Sequence, residues 1–256
     1  MVRLKKYFFL HSIYILAVLF SLDPSILWGE CTYDSAGNKS GHITQDTCWC
    51  DTSGPYYISA YSVEVDRNVI LTICPGVVVQ TNDGWDPYPI IVRGTLNATE
   101  AFFTNWTTII VESGGQLNLI DCPSITGRNN AEDKSVVNYK AGSSGAVRGC
   151  IFETINLTCN SPEITIENNM FLGPDPTTTY PDRIPSLNSN TFSSSETSTI
   201  HIGLGGTVST DASWQIMGTA RRYAIDTTVT IPAGVSLGIG DGVEISTSDA
   251  CVKKFL

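Results

Sequence analysis

Apolar residues along this chain come in short alternating bursts and do not recur at helical spacing. Val63-x-Val65, Val69-x-Leu71-x-Ile73 and Val77-x-Val79 each turn every second side chain to one face, with Asp66-Arg67-Asn68 and Pro75-Gly76 between them. The pattern predicts strands of about three to five residues joined by tight turns. Strands that short do not build a two-sheet sandwich, but they suit a coil in which each turn stacks on the one before. The fold predicted is therefore all-β, a parallel β-helix or solenoid.

The chain also repeats itself. YISAYSVEVDRNVILTICPGVVV, from Tyr57 to Val79, aligns without a gap on YAIDTTVTIPAGVSLGIGDGVEI, from Tyr223 to Ile245, at a constant offset of 166. Tyr57/Tyr223, Val63/Val229, Leu71/Leu237, Ile73/Ile239 and Val77/Val243 coincide, the turn glycines Gly76 and Gly242 coincide, and Trp49 and Trp214 each precede a copy. A shorter period lies between the copies. Cys150-Ile151-Phe152, Asn169-Met170-Phe171 and Asn190-Thr191-Phe192 share a (Cys/Asn)-x-Phe core at spacings of 19 and 21 residues. In a stacked coil such equivalents lie about 4.8 Å apart. The spacing predicts that Asn169 bonds Asn190 along a turn while Phe152, Phe171 and Phe192 stack in the interior. Cys122 fits the same position one turn earlier if residues 127 to 144, rich in Asn, Ser, Gly and charge, are a loop inserted in the 28 residues before Cys150.

Composition narrows the picture. With Lys+Arg 15 against Asp+Glu 25 and a net charge of −10, the chain lacks the basic surface that binds nucleic acid. Hydrophobic residues make up 42%, enough for a core, and the 256 residues suit one large β body or two modest ones. Arg3, Lys5 and Lys6 precede an apolar run from Tyr7 to Leu22, and Gly29 offers a small residue for cleavage. This reads as a secretory signal peptide over 1–29, and an uncleaved membrane anchor is the alternative. No later segment is long and apolar enough to span a membrane, so the mature chain is expected to be secreted or at the cell surface. All 8 cysteines follow residue 29, and an even count in an exported chain points to disulfides, of connectivity that spacing does not reveal. Cys48-Trp49-Cys50 reads as structural, and Cys74, inside an apolar run, as a buried small residue.

With its alternating valines, the PAGVSLGIGDGVEI segment, IIVRGTLNATEAFFTN and the N-x-F turns, the chain resembles secreted bacterial right-handed parallel β-helix repeat proteins, over roughly residues 57 to 245. That resemblance implies a right-handed coil; it leaves activity open, because such helices host lyases, hydrolases, adhesins and proteins without a ligand. The organisation expected is a cysteine-containing cap at 30–56, a main coil at 57–207 and a second, incomplete coil at 208–256. The free strand edges of an unfinished coil are a candidate for self-association.

Three functions are compared, one of them a purely structural fragment of a longer repeat protein with no ligand. The first is a non-enzymatic scaffold for adhesion or glycan contact, with Trp85, Tyr88 and Trp106 as candidate sugar-stacking residues and an extracellular glycan or surface protein as partner. No metal or cofactor is expected for it. The second is a polysaccharide lyase or glycoside hydrolase, which needs paired carboxylates, or acidic calcium ligands beside a basic residue. Asp175, Asp182 and Arg183 in GPDPTTTYPDRIP are its candidates, with Asp83 and Asp86 in NDGWDPYP; prolines beside Asp175 and Asp182 favour turns there. His201 and His42 read as lone surface histidines.

Overall fold

The computed structural model describes residues 31–81, 88–105, 107–126, 136–153 and 156–247. The chain divides into two compact units, 1–32 and 33–256, and of the first only Cys31 and Thr32 are described. The second unit is a parallel β-solenoid of about nine turns, and the whole chain is 5% helical.

Its coil has three faces. The first is a seven-stranded sheet in which Thr47–Trp49, Ile70–Ile73, Thr95–Thr99, Gln116–Ile120, Ser144–Arg148 and Ile164–Glu167 follow one another in parallel. A sixteen-stranded sheet forms the other two, because the long strand Tyr56–Val65 turns a corner. Its first half, Tyr56 to Ile58, pairs with Val79 to Thr81, and its second, Val63 to Val65, with Ile90 to Val92. The second face continues through Phe102–Thr104, Ser124–Ile125, Ile151–Phe152, Met170–Phe171 and Thr191–Phe192. The third face continues from Pro89–Val92 through Thr108–Val111, Val136–Tyr139, Asn156–Cys159, Thr177–Thr178, Ser198–Ile202, Ala220–Ile225 and Glu244–Thr247.

The alternation read from the sequence sets which side chains point in. Val63, Val65, Val69, Leu71, Ile73, Val77 and Val79 are all buried in one continuous core. Turns between faces need backbone that most residues avoid, and Gly76 and Gly242 hold equivalent turns at φ of 79° and 75°. The shorter period organises the second face as expected. The Phe171 ring stacks on Phe152 at 5.0 Å and on Phe192 at 5.1 Å, nearly parallel to both. Beside the rings runs an amide ladder. Oδ1 of Asn169 accepts from the Cys150 N–H at 2.9 Å, and Oδ1 of Asn190 accepts from both the backbone and the side-chain N–H of Asn169, at 3.0 and 2.9 Å. Asn190 Nδ2 donates in turn to the carbonyls of Ile166 and Leu187, both at 3.0 Å. These polar groups are therefore paired although buried, which removes the main cost of placing an amide inside.

Four readings of the sequence are corrected. Val136–Tyr139, expected within the inserted loop, is a third-face strand with Val137 and Tyr139 inward; Asn-rich flanks hid a four-residue strand. Cys74 is joined to Cys50 by a disulfide, Cα to Cα 4.9 Å, since the two immediately follow the paired first-face strands Ile70–Ile73 and Thr47–Trp49. Cys31 and Cys48 are also disulfide-bonded. The structural counterpart of Tyr223 is Tyr56 rather than Tyr57. Tyr56 and Tyr223 are fully buried, stack on Trp49 at 4.9 Å and Trp214 at 5.4 Å, and pair with Val79 and Ile245. Inward positions fall on even numbers at Tyr56 and Ile58 and on odd numbers from Val63, with a register shift in the pairing to Gly37–Ile43 between them, so a gapless alignment picks the wrong tyrosine. Finally, the stretch from Asp175, where the prolines predict turns, is more regular than that. It contains the strand Thr177–Thr178 and a 3₁₀ helix, Pro181–Ser189, that buries Ile184 and Leu187.

The segment expected to open a second coil continues the third face, since Ala220–Ile225 pairs with Ser198–Ile202 and then with Glu244–Thr247. Its earlier inward positions, Trp214 and Tyr223, are buried, but the later ones are not covered. Ile231, Ile239 and Ile245 are 39%, 45% and 39% exposed, where Val65, Ile73 and Val79 of the first copy are at most 1%.

Asn190→Ala would leave two buried N–H groups of Asn169 without an acceptor. It is expected to cost about 2–4 kcal/mol of stability by urea denaturation, and a loss below about 0.5 kcal/mol would refute a structural role for the ladder.

Candidate functional site

On the third face the residues between the buried ones point outward. Asn138, Thr158, Thr178 and His201 are register partners in successive strands, so their side chains form one outward column. Rungs about 4.8 Å apart bring polar side chains in this column within reach of their neighbours. Asn156 Nδ2 donates to Thr178 Oγ1 at 3.3 Å, Thr158 Oγ1 donates to Asn156 Oδ1 at 3.2 Å, and the Tyr180 hydroxyl donates to Asn160 Oδ1 at 2.5 Å. The result is a face of amides and hydroxyls along the solenoid axis.

At one end of that face His201 stands between two carboxylates. Its Nδ1 lies 2.7 Å from Asp226 Oδ2 and its Nε2 lies 3.4 Å from Asp175 Oδ1. All three are only partly exposed. An ionised carboxylate only accepts, so the 2.7 Å contact places a proton on Nδ1. Asp226 thus orients the ring, as an orienting carboxylate does in a catalytic dyad. Nε2 pairs with Asp175 in turn, so the imidazole bridges a carboxylate from each side.

A comparable arrangement sits near the start of the coil. His42 Nδ1 donates to Asp66 Oδ1 at 2.9 Å, Glu64 Oε2 lies 3.8 Å from Nε2, and Arg93 bonds the Glu64 carboxylate. In both places the aspartate that orients the ring lies one turn later in the chain, 24 residues for Asp66 and 25 for Asp226. Neither partner is near its histidine in sequence, and rung length was the signal that could have revealed them.

The residues proposed for cleavage take separate places. Asp182 accepts from the backbone N–H and hydroxyl of Ser209 at 2.7 and 2.6 Å. The Arg183 guanidinium donates to the Ile164 carbonyl, and its Nε is buried with no partner among the described residues. Asp175 faces His201 instead. Among the aromatic candidates, Tyr88 is partly buried against the core. Trp85 and Trp106, with Asp83 and Asp86, lie outside the described residues. Among the described residues no group of three or more His, Cys, Asp or Glu side chains is arranged to hold a metal ion.

The hydrogen bond to Asp66, and then the charges of Asp66 and Glu64, hold the His42 imidazole above its ordinary value of 6.5. A raised folded-state value means that the stabilisation is fully present below about pH 6.5 and is lost as pH rises through the folded value. His42→Gln is therefore expected to lower stability in urea at about pH 5.5 and to match the parent at about pH 9. A deficit at the higher pH alone would reverse the assignment, and NMR titration of His42 reads the shift directly.

Compared with known proteins, the chain matches no protein-family model, no curated protein and no solved structure.

Proposed function

We propose that this is an exported right-handed β-helix that acts without catalysis as an elongated scaffold for adhesion or glycan contact, through the outward side of its third face. The observation that carries the reading is the polar column from Asn138 to His201. Its amide, two hydroxyls and imidazole follow one another at rung spacing, which suits the repeating hydroxyls of an extended polysaccharide. Polar contacts spread over many rungs give a chain-like ligand several weak bonds at once. Export is supported by the basic and apolar leader and by the disulfides, which persist in oxidising compartments. No helix of the described residues is long and apolar enough to cross a membrane.

Two further parts of the reading rest on single features. Self-association through the open edge draws on the exposed Ile231, Ile239 and Ile245. Polysaccharide cleavage is the second functional reading, favoured by the meeting of Asp175 with His201; calcium would enter only there.

Affinity electrophoresis of the mature chain through acidic and neutral polysaccharides, with and without calcium, tests the main proposal. Retardation by at least one polymer is expected, weakened about fivefold or more by Thr178→Ala combined with His201→Ala. Shortening of a polymer that Asp175→Asn abolishes would replace it with the enzymatic reading, and no retardation by any polymer would remove the glycan.

In sedimentation, the parent is expected to associate and Ile239→Lys to shift toward monomer; a monomeric parent would remove the open-edge contact.

A further inference from the structure

Cys122, Cys150 and Cys159 are buried free thiols that neither the site nor the interior hydrogen-bond scheme requires. Two of them lie on consecutive turns at one position of the coil. The Ile151 N–H donates to the Cys122 carbonyl at 3.0 Å, as Met170 does to Cys150 at 2.9 Å and Thr191 to Asn169 at 2.8 Å. Cys122 and Cys150 therefore occupy the two rungs that precede the Asn169–Asn190 ladder. Where the later rungs join their side chains by an amide hydrogen bond, these two carry thiols, which donate to the Ala98 carbonyl at 3.8 Å and to the Leu119 carbonyl at 3.4 Å.

We propose that Cys122 and Cys150 are a site of covalent cross-linking, a buried disulfide that joins consecutive rungs where the asparagine ladder stops. Geometry is the first support. Equivalent positions on adjacent rungs lie about 4.8 Å apart, inside the range of about 4.4–6.8 Å that disulfide Cα atoms span. The same chain already shows the bond between adjacent rungs, since Cys50 and Cys74 are joined with Cα atoms 4.9 Å apart. Chemical setting is the second. In the folded chain the neighbouring Cys122 thiol draws Cys150 below its ordinary value, and Cys150 together with burial pushes Cys122 up, as two adjoining thiols do. Topology is the third. The bond would close the 28 residues from Cys122 to Cys150, the widest of the intervals from Cys122 through Cys150 and Asn169 to Asn190.

The step balances with an external disulfide as oxidant, either glutathione disulfide or that of a thiol–disulfide oxidoreductase. The thiolate of one cysteine of the pair attacks it and releases one thiol, giving a mixed disulfide. The other then gives up its proton and attacks the protein sulfur of that mixed disulfide, releasing the second thiol and forming the Cys122–Cys150 bond. Two electrons pass from the cysteine pair to the oxidant. Both thiols are fully buried in the folded chain, so the exchange belongs to folding, before the next rungs close over the pair.

The test is refolding of the reduced, unfolded mature chain with reduced and oxidised glutathione, followed by unfolding without reductant, alkylation with iodoacetamide and peptide mapping by mass spectrometry. The expected result is a cross-linked peptide pair carrying Cys122 and Cys150, with under about a tenth of either alkylated, beside the Cys50–Cys74 pair as an internal control. Recovery of Cys122 and Cys150 as alkylated thiols while Cys50–Cys74 is intact would overturn the proposal, as would cross-linking of either one to Cys159. Cys150→Ser adds a second readout that does not depend on the stability of the cross-link: Cys122 is expected to become alkylated in it, and a Cys122 that stays blocked there has another partner.

Discussion

In-register parallel stacking governs this molecule. Each turn must lie about 4.8 Å above the last with every residue over its equivalent, so a side chain is chosen chiefly for what it meets one turn away. Inside, that constraint admits few solutions. Rings can lie flat on rings, as Phe171 does between Phe152 and Phe192. Amides can bond amides, as Asn169 and Asn190 do, and branched aliphatics fill the rest. Outside, the same spacing accounts for the bond from Asn118 Nδ2 to Asn97 Oδ1 at 2.8 Å, the Cys50–Cys74 bridge, and the pairing of each histidine with an aspartate of the following turn. Close stacking also excludes: a Cβ on Gly145 would come within 1.9 Å of the Leu117 carbonyl oxygen on the turn below.

What the sequence revealed follows from this constraint. Inward valines alternate at period two within a strand, so they are visible in a window of a few residues. Phe152, Phe171 and Phe192 recur at nearly equal intervals, so the turn length shows through, and with it the fold class. Features that depend on the registry between turns were harder to see. Tyr56 was passed over for Tyr57 because a register shift before Val63 changes which parity faces inward. Cys74 looks like any small residue in an apolar run until the pairing of the strands that precede it and Cys50 is known. Val136–Tyr139 was lost because neighbouring polar residues outweighed a four-residue strand.

The candidate site was the least legible part. Asp175 was singled out in the sequence, but alongside Asp182 and Arg183, which are near it in the chain and have other partners in the fold. Its neighbour in space, His201, is 26 residues away, and Asp226 is a further turn on. Proximity along the chain is a poor guide in a solenoid, where functional neighbours are about one turn apart. Counting in turns groups Asp175, His201 and Asp226 at once, and groups His42 with Asp66 in the same way.

The disulfides also give the coil a mechanical direction. A stack in which each turn touches mainly its neighbours comes apart turn by turn, starting where the marginal turn is held least. Around Cys50 and Cys74 adjacent turns are tied by a covalent bond, whereas at Ile239 and Ile245 the last described turn leaves its interior half open. Under tension along the axis, the turns around Ile239 and Ile245, which bury less, are expected to part before those that the Cys50–Cys74 bond ties together.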